Sequence, residues 1–273
     1  MNANARILKE EFLKLKIEVA NHLGKVRNYK NSHLQNYLYF LHHPLFSFAE
    51  SVIILCENNK QHVAKVLLRS LVEAHINVIY HQIADSEHRL ALSAKAGFDT
   101  KLKNIKELQD FIRRYPNLKS ENPTNLFNDN WLQSAEQWAD KELQGILKGN
   151  NLLQKDQELD LKSKAIKCDQ ENIKNIDRGH FERIYHLIFR QLSPTSHLNV
   201  EGIQTFMSQK ETGENLFSDG DDGKILIAEA IEICVAFTKD LYECGVITGE
   251  VTILIKNIEK LLNKGGESGT SLH

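Results

Sequence analysis

Apolar residues recur at three- and four-residue spacing along most of this chain, the periodicity of amphipathic helices. In the opening segment, residues 3–27, they fall at Ile7, Phe12, Leu15, Val19 and Leu23. A second helical stretch is predicted over roughly 30–57. It is interrupted near Pro44, because proline suits the first turn of a new segment better than a helix interior. Asn58 and Asn59 mark a turn before a long helix over about 60–84. Ser86 is placed as the cap of the next helix, which runs to Arg114 and stops before Pro116. The polar run 117–130 reads as a loop, and residues 131–148 resume a helix carrying Trp131 and Trp138. The strongly charged segment 150–178 reads as a solvated helix, its charges a wet surface. A packing helix through Phe181, Ile184, Tyr185, Ile188 and Leu192 comes next, then a Gly- and Asp-rich loop at 212–223. Helices over 225–244 and 249–262 complete the chain, and the tail 264–273 is expected to be disordered. Strands have almost nowhere to sit. The pattern predicts an all-α fold, a single-domain multi-helix bundle.

One helix breaks its own pattern. Lys65–Tyr80, KVLLRSLVEAHINVIY, is apolar on nearly every face yet carries Arg69, Glu73 and Asn77 at four-residue spacing. Residues four apart lie one above the other on a helix. A helix this apolar is expected between others, where a charge is costly unless paired. The seam is therefore either an internal lock, with Arg69 and Glu73 as a buried pair, or one wall of a reaction site.

A second polar cluster lies in HFERIYHLIFRQLSPTSHLNVEGIQTFM. His186 and Arg190 share a stripe apart from the packing face. Ser193-Pro194 has the form of an N-cap followed by proline at the first helical position, which puts His197 just inside a new helix. The positive end of that helix favours neutral imidazole, able to accept a proton. A neutral histidine beside the Arg190 guanidinium suits proton transfer at a phosphodiester. The bland reading is equally concrete: Tyr185, Ser193 and His197 satisfy the Arg69–Glu73 pair, and the lock performs no chemistry. His75, His81 and His88 read as ordinary helix residues.

Composition narrows the partners. Thirty-four basic and 36 acidic residues leave a formal charge of -2, with no global pull toward nucleic acid or anionic membrane. RNA binding through a local cleft stays open, and no membrane partner is expected. The longest apolar stretch is placed around Leu71–Tyr80, too short to span a bilayer. Cys56, Cys168, Cys234 and Cys244 are scattered without a CxxC pair, which points to a reducing, cytoplasmic setting. No HExxH, ExxH pair, glycine-rich phosphate loop, GxGxxG or GxSxG is present, so no metal and no cofactor are expected.

On LLRSLVEAHINVIY and YHLIFRQLSPTSH the chain resembles a family of helical prokaryotic proteins, domain of unknown function 5677. The resemblance implies site positions at Arg69, Ser70, Leu71 and Glu73, then Tyr185, Leu192, Ser193 and His197, within a core of residues 45–210. Residues 1–44 then form an N-terminal helical region, and 211–263 complete the bundle. A looser resemblance is to the HEPN ribonucleases, whose signature is arginine, four to six residues, then histidine. Arg190 and His197 enclose QLSPTS. That likeness implies a HEPN-like bundle that pairs as a homodimer and cleaves RNA without metal, acting as a toxin or antiviral effector. His197 and Arg190 would then be catalytic, with Arg69 and Glu73 orienting them and Ser193, Tyr185 and Asn77 contacting substrate. The alternative is a noncatalytic helical module that binds RNA or a partner protein of a defence or toxin–antitoxin system.

Overall fold

The structure, a computed structural model, describes residues 3–25, 32–83, 85–115, 129–171, 179–190, 222–249 and 251–266. Among them the chain forms nine α-helices and one π-helical turn, and no strand. It is an all-α multi-helix bundle whose contacts gather into two compact units. One comprises residues 1–83 and 161–273, the other residues 84–160.

The larger unit holds α1 (Ala3–Gly24), α2 (His33–Glu57), α3 (Gln61–Gln82), α6 (Leu161–Glu171), α7 (His180–Ile184), α8 (Asp222–Glu243) and α9 (Val251–Gly266). Helices α2, α3 and α8 pack on one another, α1 pairs with α9, and α6 lies against α3. α1 buries Phe12, Leu15, Val19 and Leu23, as its periodicity predicts, but its first buried position is Leu8, and Ile7 is exposed. α3 buries Leu68, Leu71, Val72, Ile76 and Ile79.

Pro44 does not interrupt the second helix. α2 starts at the Ser32 cap, whose hydroxyl accepts from the Gln35 amide, and runs unbroken to Glu57. An interior proline costs about 3 kcal/mol. Beyond it, however, Leu45, Phe46, Val52 and Ile53 are all buried. Each such side chain contributes roughly 1.5–3 kcal/mol, so packing outweighs the lost backbone bond. α2 is also the one described helix long and apolar enough to cross a membrane by length and composition. The sequence expectation had put the longest apolar stretch in 71–80.

The smaller unit pairs α4 (Ser86–Arg114) with α5 (Asp129–Gly149) around Ile105, Ile112, Leu132 and Ala139. Asp85, in the left-handed region at φ 63°, holds the cap position expected for Ser86.

The charged segment 150–178 also departs from expectation. Only 161–171 is helical among its described residues, and that helix buries Lys164, Ala165 and Cys168. Their spacing is i, i+1, i+4, one narrow face, so α6 is a packed element with a charged outer side.

Candidate functional site

Three elements meet beside α3: α6, the short α7, and the π-helical turn Tyr185–Phe189 that continues α7. Even with the π turn, the helical run 180–190 is too short to hold alone, so it relies on its neighbours. The carboxylate of Asp169, on α6, accepts from the Phe181 amide at 3.0 Å and the Glu182 amide at 2.8 Å. It thereby caps α7 from another helix, satisfying amides that have no intrahelical partner. The Phe181 ring is buried, 5.7 Å from that of His75 on α3.

The π turn follows directly. The Arg190 amide donates to the Tyr185 carbonyl, five residues back. This wide turn stacks Tyr185 on Phe189, with ring centroids 5.4 Å apart and planes 19° from parallel. Arg69, half-buried on α3, lays its guanidinium over Phe189 at 4.4 Å from the centroid. A guanidinium is weakly hydrated and flat, so an aromatic face is a suitable partly buried partner for it.

Glu73 does not share this arrangement. It is exposed, and among the described residues no hydrogen bond or ion pair joins it to Arg69. The buried Arg69–Glu73 pair, one of the two readings of the spacing, is not found among the described residues. The carboxylate keeps its water while the cation leans onto a ring, which avoids the cost of burying both charges. Asn77, one turn further, is half-buried and accepts from Lys164 Nζ at 2.7 Å. That ammonium is itself buried and lies 5.4 Å from the Tyr80 ring centroid. Below it, the Cys168 thiol donates to the Ile76 carbonyl at 3.8 Å.

The structure thus brings Arg69 to Tyr185 through Phe189 and commits Asn77 to Lys164. Arg190 is exposed, at the end of the π turn. Leu192, Ser193 and His197 lie outside the described residues. Sequence reasoning missed Phe189, Lys164 and Asp169. The i, i+4 pair Tyr185/Phe189 and the face Lys164, Ala165, Cys168 were readable signals. Nothing local marked Asp169 as a cap for a helix on the far side of a connection. Among the described residues no group of three His, Cys, Asp or Glu side chains is placed to hold a metal.

Residues 35–215 match the family of unknown function DUF5677. The chain belongs to that family. The DUF5677 match runs from α2 through the π turn and includes both polar clusters, while α1, α8 and α9 lie outside it. No curated protein and no solved structure matches this DUF5677 chain.

Proposed function

We propose that this DUF5677 protein is a metal-independent endoribonuclease of the HEPN type, acting in the cytoplasm as a toxin or antiviral effector. The observation that supports it is the seating of Arg69 on Phe189, the residue before Arg190. Arg190 ends the π turn on which Arg69 is seated, and the chain leads from there to Ser193 and His197. In the proposed reaction the ribose 2'-oxygen attacks phosphorus and the bond to the 5'-oxygen breaks. The products are a 2',3'-cyclic phosphate and a free 5'-hydroxyl. His197 takes the 2'-proton or returns one to the leaving oxygen, with water serving the other transfer. Arg190 stabilises the phosphorane charge, and Arg69 holds the substrate phosphate in line. Glu73, open to solvent on the same stripe, and Tyr185 and Ser193 contact the ribose or base. Two protomers pair around the RNA, or one pairs with a cognate partner protein.

The test is growth and RNA integrity in cells expressing the wild type, Arg190→Ala or His197→Ala, followed by cleavage assays on purified protein. Cleavage present in the wild type and lost by more than about 100-fold in either variant, at unchanged melting temperature, is the expected result. Purified wild type that leaves varied RNAs intact overturns it.

A second reading draws on a different observation. The Arg69–Phe189 contact and the Asp169 cap are contacts made within the protein. They suit a noncatalytic module that binds RNA or a protein, in which His197→Ala keeps full cellular activity.

A further inference from the structure

α2 is more apolar than its place in the bundle requires. One face buries Leu45, Phe46, Val52 and Ile53, yet only 33% of its most apolar stretch is buried. On the outer face Phe40 is 72% exposed, Phe48 39% and Ile54 48%. A helix apolar all round is normally covered all round. The outer residues form a stripe, Phe40, Pro44, Ser47, Ser51 and Ile54, spaced alternately four and three apart, which is the seam of a paired helix. No charge interrupts it. Apart from histidines, the only charged side chains of α2 are Glu50 and Glu57, and these pair with Lys16 and Lys9 of α1. Ser51 donates its hydroxyl to the Ser47 carbonyl at 2.8 Å, so it can be covered without stranding a donor.

The arrangement of the stripe selects its occupant. Ser47 lies at the centre, with Phe40 seven residues before it and Ile54 seven after. Turned end for end about Ser47, the stripe meets itself: Phe40 faces Ile54 of a copy, and the small serines let the two backbones approach. A two-fold interface requires such self-complementarity, which a surface built for a different protein does not need. A lipid surface is a poorer fit, since interfacial helices set lysines and arginines beside their apolar face and α2 has neither. We infer that α2 pairs with α2 of a second copy of this chain, antiparallel and centred on Ser47. This gives the protomer pairing of the proposed function a face, yet it rests on α2 alone and holds whether or not RNA is cut. Taking about 200 Å² for an aromatic side chain, Phe40, Phe48 and Ile54 bring roughly 300 Å² per protomer, or roughly 600 Å² for the pair. With the residues between them the interface falls at or below the roughly 1,200 Å² where stable complexes begin. A weak, micromolar dimer is expected.

Sedimentation velocity of the full-length protein across micromolar concentrations should show monomer giving way to dimer. Phe40→Glu and Ile54→Lys, both at exposed positions, should each weaken the dimer by about tenfold or more, with the far-UV circular dichroism unchanged. The antiparallel register makes a sharper prediction. Position 40 of one copy faces position 54 of the other, so the two variants mixed together should recover a dimer that neither forms alone. That recovery should fade as salt is raised, because it rests on a new charge pair. A wild type that stays monomeric throughout, a dimer that neither variant weakens, or a mixture that stays monomeric overturns the inference. So does a monomer that floats with neutral phosphatidylcholine vesicles and loses them on Phe40→Glu, which gives the stripe to lipid. RNA cleavage is read on the same samples. A dimer through α2 that never cleaves sinks the nuclease reading and leaves the pairing standing, and a monomer that cleaves does the reverse.

Discussion

Arg69 keeps its charge half inside the protein by lying flat on Phe189, 4.4 Å from the ring centroid. Lys164, on the neighbouring α6, instead drives a compact ammonium into the interior, where the Asn77 oxygen and the Tyr80 ring receive it. The difference follows from the two cations: guanidinium stacks, whereas ammonium needs point acceptors. A double-mutant cycle with Arg69→Met and Phe189→Leu should therefore give a coupling of about 0.5–2 kcal/mol, read from urea unfolding. Zero coupling would mean that the ring supports the arginine by shape alone. How much of this was legible in the sequence follows from the spacing itself. Four-residue intervals showed that Arg69, Glu73 and Asn77 share a stripe, and that α3 is a core helix. They could not show partners, because helical spacing relates residues within one helix only. Glu73 looked like the natural mate for Arg69, yet Phe189, which Arg69 does meet, came from the π turn, far along the chain.

Helices α3 and α7 stand at opposite ends of self-sufficiency. α3 has 22 residues and a dense apolar face, so its existence was plain from periodicity. α7 and the π turn that continues it together span only residues 180–190, and they depend on what others give them. Asp169→Ala removes both oxygens that cap α7 and should cost about 1–2 kcal/mol, the usual range for a lost cap. Amide exchange at Phe181 and Glu182 should accelerate well beyond that at α3, and unchanged exchange at those two amides would show that the cap is dispensable. The π turn was not foreseeable from local propensity, since a wide turn differs from an α-turn by a single backbone bond. Pro44 misled for the opposite reason: its local cost was real, but the burial on both sides of it lay outside the reach of a dipeptide rule.

At the scale of the whole molecule, the all-α bundle was readable because the 3.6-residue period recurs throughout. The division into two units was not, since periodicity says which face is buried and not against what. Stability at this scale carries a pH signature. Burial, reinforced by the neighbouring Glu232 carboxylate, pushes the Glu229 carboxyl on α8 up to about 7 from its ordinary 4.5. Its folded value lies above its unfolded value, so the protonated form favours the fold below about 4.5, and that advantage is lost as pH rises through 7. Glu229→Gln, which mimics the protonated group, should match wild type near pH 4.5. Near pH 8 it should be more stable by about 2–3 kcal/mol in urea melts, and an equal gain at both pH values would exclude titration of this group as the cause. The order of the helices also governs how the protein is made. Asn77 waits 87 residues for Lys164, Ile76 waits 92 for Cys168, and Gln35 waits 209 for the Cys244 carbonyl that its amide reaches at 2.7 Å. On the ribosome, α4 and α5 emerge as a complete local pair while α1, α2 and α3 still expose the surfaces destined for α6, α8 and α9. The nascent chain therefore presents a finished small unit and an unfinished large one from the end of α5 at Gly149 until α9, Val251–Gly266, has emerged, the interval in which it most needs a chaperone.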